Sequence, residues 1–123
     1  MAPRVATTLV TGASTSEREQ AIAAFLHQNG AFSDLSAVIL EGLPSGQPIL
    51  EASPNLLIER IAPGCLCCTG NLVLRVTLNR LLRRCPVRLV IGVANAGHLD
   101  QLRSWLESAP YDQLLDVKVM HHT

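Results

Sequence analysis

Apolar residues in this chain fall into short runs that alternate with stretches of helical periodicity. Five runs are typical of strands, and they cover residues 5–11, 36–42, 55–61, 87–94 and about 116–120. The run at 87–94 is apolar at nearly all successive positions rather than at alternate ones, which indicates a strand buried on both faces. The first run ends at Gly12, where a turn is expected.

Three stretches between or after these runs have apolar residues at helical spacing. The first contains a capping-box pattern at Ser16 and Glu19, and Gly30 is suited to end it. Its apolar stripe consists of Ile22, Phe25 and Leu26, and that of the second helix consists of Leu74, Leu78, Leu81 and Leu82. A third helix is predicted at about 99–108. This order predicts an α/β fold, with a mostly parallel sheet of about five strands and helices on both faces.

Length and composition are consistent with one soluble domain spanning residues 1–123. Of the 123 residues, 48% are hydrophobic and 3% aromatic, so the core is built mainly from aliphatic side chains. Ten basic and ten acidic residues balance, which argues against nucleic acid or an anionic membrane surface as a partner. No apolar run approaches the roughly 20 residues that span a bilayer, and the N-terminus lacks a secretory pattern. A cytoplasmic location is expected, where four cysteines seldom form structural disulfides.

The first loop after a strand occupies the place of a phosphate-binding loop, whose pattern is G-x-x-x-x-G-K-[ST]. Gly12 matches the first glycine. Glu17, Arg18 and Glu19 stand in place of the second glycine, the lysine and the hydroxyl residue. Glu17 adds bulk and negative charge near the phosphates, and Glu19 cannot replace a hydroxyl ligand to Mg²⁺. Gly12 and Arg18 remain the candidate nucleotide contacts, and hydrolysis of GTP or ATP is not expected.

Three of the four cysteines lie in the sequence GCLCC at 64–68, directly before the second helix. Thiolates prefer soft or borderline ions, with zinc first and cobalt or copper(I) next. Inert buried thiols and redox-active thiols are the two alternatives. Redox chemistry is favoured least, because no basic residue lies closer than Arg60 and Arg75 to stabilise a thiolate. The fourth cysteine, Cys85, is expected to be a core residue at the end of the second helix.

These motifs resemble the N-terminal half of the CobW-like P-loop GTPases, the family of cobalamin-, urease- and hydrogenase-accessory proteins and related metallochaperones. The resemblance rests on VTG at 10–12, GCLCC at 64–68 and RLVIGVANAG at 88–97. It implies a P-loop-NTPase-like three-layer sandwich. Because the nucleotide motifs are degenerate and the guanine-recognition region and C-terminal domain are not found, the chain is interpreted as a single truncated CobW-like domain.

The thiol cluster of Cys65, Cys67 and Cys68 needs one more donor to complete a tetrahedral metal site. One candidate is Glu41, at the end of the second strand, where the relatives carry an acidic residue of a switch region. The other is His98, on the loop after the fourth strand. Ligands of parallel sheets bind at the carboxyl ends of the strands, which is where both residues are expected to lie.

The sequence therefore predicts a non-catalytic accessory protein that binds zinc or cobalt, and GTP is not expected as a cofactor. Two alternatives stay open: a GTPase that still binds nucleotide with residual activity, and a P-loop-like scaffold without a ligand. The candidate partners are a client metalloprotein, a full-length GTPase relative and a second copy of this chain.

Overall fold

The structure, a computed structural model, describes residues 4–12, 14–28, 34–42, 50–61, 72–94, 97 and 99–121, with residue 121 described by its backbone alone. Within these residues, five strands form one parallel sheet: β1 (Val5–Thr11), β2 (Ser36–Glu41), β3 (Leu56–Ile61), β4 (Arg88–Val93) and β5 (Leu115–His121). Three α-helices accompany them: α1 (Thr15–Gln28), α2 (Leu72–Leu82) and α3 (Leu99–Leu106). The α/β class and the five-stranded parallel sheet predicted from the sequence are confirmed.

The strands are arranged in the order β3-β2-β4-β1-β5, and the helices cover both faces. α1 packs against a buried cluster on one face that includes Val10, Val38, Leu40 and Val90. α2 and α3 pack against a cluster on the other face that includes Leu9, Ile39, Leu89 and Ile91. Since crossovers between parallel strands are right-handed, the direction of travel along the sheet decides which face a helix covers. The connection through α1 runs toward the β3 edge of the sheet, whereas the connections through α2 and α3 run toward the β5 edge. α1 therefore lies on one face of the sheet, and α2 and α3 lie on the other.

The first helix begins earlier than its capping pattern predicts. α1 starts at Thr15, and the Glu17 amide donates to the Ser14 hydroxyl over 3.1 Å, so Ser14 is the residue that caps the helix. The predicted cap at Ser16 is therefore wrong. The Ser-x-x-Glu pattern occurs twice in overlapping positions, at Ser14/Glu17 and at Ser16/Glu19, and only the first is used as a cap. Glu19 is instead buried.

Cys85 is exposed rather than part of the core, so that prediction is also wrong. Its amide donates to the Leu82 carbonyl over 3.0 Å, and its φ of 54° turns the chain back toward β4. This turn directs Pro86 inward, where it is buried, and leaves the Cys85 thiol outside.

Across the described part of the chain, the helices are too short or too polar to cross a membrane.

Candidate functional site

The sheet has a topological switch point at the carboxyl ends of β1 and β4. These strands are neighbours, with Thr11 opposite Val93. The chain leaves β1 toward one edge of the sheet and leaves β4 toward the other, so the loops after them diverge. Such a switch point is where open parallel sheets bind ligands. The candidate site is therefore the edge formed by Gly12, by the end of β2 and by Ala94.

Arg18 fills the loop that would have to hold phosphates. Its guanidinium donates to the Gly12 carbonyl over 3.1 Å and to the Thr15 hydroxyl over 3.1 Å. The aliphatic part of the side chain lies against Gly12, where an added Cβ would come within 3.1 Å of Arg18 Cγ. Arg18 is only 6% exposed. The structure thus brings the two predicted nucleotide contacts, Gly12 and Arg18, together. The Arg18 guanidinium is, however, hydrogen-bonded to Gly12 and Thr15.

Glu41 occupies the same edge, at the carboxyl end of β2. It is buried, and its Oε1 accepts a hydrogen bond of 2.8 Å from the Ala94 amide, which joins the ends of β2 and β4. Gly42 follows with a φ of 104°, a conformation that side-chain-bearing residues rarely adopt. The Gly42 amide donates to the Ile61 carbonyl over 2.8 Å. Glu41 is thereby held beside Ile61, the last residue of β3.

Residues 62–71, called here the thiol segment, connect Ile61 to the first residue of α2. The predicted metal ligands Cys65, Cys67 and Cys68 belong to this segment and lie outside the described residues, as does His98. Within the described ranges, no group of three or more His, Cys, Asp or Glu side chains is arranged to hold a metal ion. What the structure does describe is the point where the thiol segment leaves the sheet, next to Glu41.

An ion pair between α1 and β3 was not anticipated from the sequence. Both oxygens of the Glu19 carboxylate accept hydrogen bonds from the Arg60 guanidinium, at 3.0 and 3.2 Å. The Glu19 side chain is 3% exposed and that of Arg60 is 18% exposed. A planar guanidinium that binds a carboxylate through two parallel bonds is a strong and orientation-specific pair. It fixes α1 to β3 two residues before the thiol segment begins.

A signal for this pair exists in the strand pattern. Side chains alternate between the two faces of a strand, so Arg60 points to the α1 face and Glu59 points to the α2 face. Glu59 correspondingly binds Arg80 of α2 over 2.9 Å, while Arg60 binds Glu19 of α1. The alternation along β3 therefore predicts that Glu59 and Arg60 lie on opposite faces of the sheet, whereas the partner of each is decided by the tertiary structure.

Comparison with known proteins identifies one related accessory protein. The chain is 36% identical to the zinc chaperone YeiR of Escherichia coli (strain K12) over 70 residues, which are 56% of this chain and 21% of the relative. The matched region thus spans about a fifth of the relative's length. No family model matches the chain, and no solved structure matches it significantly. The match to YeiR, a member of the CobW family, confirms that this chain resembles a CobW-like metallochaperone over part of its length.

Proposed function

We propose that this chain is a non-catalytic accessory protein that binds zinc through Cys65, Cys67 and Cys68 as cargo for a client metalloprotein. The observation that carries the proposal is the match to a zinc chaperone in a chain that also contains GCLCC at 64–68. Three thiolates in four residues are a donor set suited to zinc first and to cobalt or copper(I) next. A site that must release its cargo needs fewer than four permanent protein ligands or one exchangeable position.

The placement of Glu41 supports this proposal. The thiol segment leaves β3 directly beside Glu41, because the Gly42 amide is hydrogen-bonded to the Ile61 carbonyl. One Glu41 oxygen accepts from the Ala94 amide. A carboxylate has about four acceptor positions over its two oxygens, so this bond and metal coordination are compatible. Glu41 is thus a suitable fourth ligand, and the bond to Ala94 would orient it from the second coordination shell.

The test is the metal content of protein purified without oxygen and without chelator. We expect about one zinc ion per chain, since three thiolates and a carboxylate complete one tetrahedron. Metal at background level in such protein would contradict the proposal and favour the alternative of a scaffold without a ligand. A second preparation refolded with Co²⁺ provides an independent spectroscopic measurement, because Zn²⁺ itself is spectroscopically silent.

We also expect that the chain alone does not hydrolyse GTP or ATP. Phosphoryl transfer requires positioned phosphates and a bound Mg²⁺. The three side chains that replace the second glycine, the lysine and the hydroxyl residue of the phosphate-binding pattern have other environments. Glu17 is exposed on the first turn of α1, and Arg18 is hydrogen-bonded to the Gly12 carbonyl. Glu19 forms an ion pair with Arg60. The negative charge that was expected to repel phosphate therefore comes mainly from Glu17, because the charge of Glu19 is compensated by Arg60.

The measurement is phosphate release from GTP and ATP with and without Mg²⁺, for the unmodified chain and for Arg18→Ala and Arg18→Lys. Equal, background-level release in all samples is the expected result. Mg²⁺-dependent turnover that disappears in Arg18→Ala and persists in Arg18→Lys would show that the loop is an active nucleotide site. The lysine variant is needed because removing a buried side chain alone also disturbs the loop.

A further inference from the structure

A cavity of about 420 Å³ lies at the opposite end of the sheet from the candidate metal site. Its wall is formed where β1 and β4 begin, at the end of α2 and just before β5. The apolar lining residues are Val5, Leu82, Pro86, Val87 and Leu114. Strands rise about 3.3 Å per residue, so the seven residues of β1 separate this cavity from the carboxyl edge by roughly 20 Å. The cavity is therefore distinct from the candidate site beside Gly12.

Two of the lining side chains are unusually exposed for their size. Val87 is 49% exposed and Leu114 is 45% exposed. They come from different parts of the chain and face a common space, so one apolar ligand could remove both from water. Burial of apolar surface is worth about 25 cal/mol per Å², which makes such a ligand favourable. A volume of about 420 Å³ is within the range of cavities that bind small molecules.

The polar groups of the cavity indicate the charge of the ligand. Arg4 lines it and makes no ion pair with any residue that the structure describes. Gln113 contributes an amide, Cys85 contributes a thiol, and no carboxylate is among the lining residues that the structure describes. A guanidinium is a fork of donors that matches a carboxylate through two hydrogen bonds. One cation beside an aliphatic wall is complementary to an anion with an aliphatic tail.

We propose that this cavity binds a small apolar carboxylate, with Arg4 bound to the carboxylate and the aliphatic wall around Val87 and Leu114 enclosing the tail. A polypeptide occupant is disfavoured, since a stable protein interface buries about 800 Å² on each partner. Among the described lining residues, only Val87 and Leu114 are large, apolar and exposed. The proposal is independent of metal binding, because the cavity and the thiol segment lie at opposite ends of α2.

The experiment is calorimetric titration of the full chain with octanoate, below the concentration at which octanoate self-associates, and with octanol as the uncharged counterpart. We expect saturable binding of octanoate at one site and binding of octanol that is weaker by about tenfold, because the charge-assisted bonds are lost. Arg4→Gln should lower the affinity for octanoate to that for octanol and leave octanol binding unchanged. Leu114→Asp should abolish the binding of both.

The control is Arg75→Gln, which removes an exposed cation on α2 that does not line the cavity. Arg4 and Leu114 are exposed, so their variants are expected to fold, and circular dichroism verifies this. The proposal is overturned if octanoate does not bind saturably, or if Arg4→Gln and Arg75→Gln weaken it equally. It is also overturned if octanoate binds only to a chain that lacks residues 1–3, because the N-terminus would then be the natural occupant of the cavity.

Discussion

Replacement of Cys65 or Cys67 by serine is expected to lower zinc affinity by about two orders of magnitude, whereas Cys85→Ser should have no effect. Structural zinc sites are worth about 10–16 kcal/mol over four ligands, so one thiolate accounts for roughly 3 kcal/mol. Each 1.4 kcal/mol corresponds to about tenfold in affinity. A serine hydroxyl does not replace the thiolate, because zinc binds deprotonated sulfur far better than a neutral alcohol.

Cys85→Ser is the matched control because it makes the same replacement of sulfur by oxygen at a position far from the thiol segment. The 11 residues of α2 separate the thiol segment from the turn that contains Cys85, and a helix rises about 1.5 Å per residue, which gives roughly 16 Å. Cys85 is also exposed, so its substitution leaves the core unchanged.

Zinc affinity is measured by competition with a chromophoric chelator, and cobalt-loaded protein adds a thiolate charge-transfer band in the near ultraviolet. The band should weaken in the Cys65→Ser and Cys67→Ser variants and persist in Cys85→Ser. Glu41→Gln tests the contribution of the fourth ligand by itself, since a glutamine side chain can still accept the hydrogen bond from the Ala94 amide but lacks the negative charge. Equal zinc affinity in all four variants and the unmodified chain would show that the thiol segment does not bind the metal.

Glu19→Ala is expected to lower the free energy of unfolding by about 3 kcal/mol, because it leaves the partly buried Arg60 without its partner. The Glu19 side chain is 3% exposed and makes two hydrogen bonds to Arg60, so water cannot replace the lost carboxylate without reorganisation. The double substitution Glu19→Leu/Arg60→Met should recover most of the loss, since a hydrophobic pair of similar volume avoids the unpaired charge.

The control for this prediction is the exposed pair of Arg103 and Glu107, four residues apart at the end of α3. Their side chains are 46% and 52% exposed, and exposed pairs contribute at most about 1 kcal/mol. Arg103→Ala should therefore shift the urea midpoint only slightly, with an unchanged slope. Equal losses in Glu19→Ala and Arg103→Ala would mean that the Glu19–Arg60 pair makes no special contribution to stability.

The Glu19–Arg60 pair also connects stability to the candidate site. Arg60 precedes Ile61, from which the thiol segment leaves the sheet, and Ile61 is in turn bonded to Gly42. Loss of the pair would free the end of β3 from α1. Since local unfolding follows contiguous units, the end of β3 would loosen before the rest of the core.

The strands and helices were determined largely by the sequence itself. The burial of β2 and β4 on both faces follows from apolar residues at successive positions, and the stripe on α2 follows from helical spacing. Both patterns are local, because the period of the backbone decides which side chains share a face. The parallel sheet followed from the alternation of the two element types. The GCLCC motif likewise indicated a relationship to metallochaperones without any coordinates.

The tertiary structure alone decided how the charged residues are used. Two overlapping Ser-x-x-Glu patterns are equivalent in sequence, and α1 uses the first because Glu19 is buried against Arg60, which is 41 positions further along the chain. Arg18 has the charge expected of a nucleotide contact, yet it bonds to Gly12 inside its own loop. Cys85 is exposed because the chain turns after α2 to reach β4. Glu19 and Arg60 are brought together only by folding. A single charge or thiol also lacks the periodic pattern that predicts which apolar residues are buried.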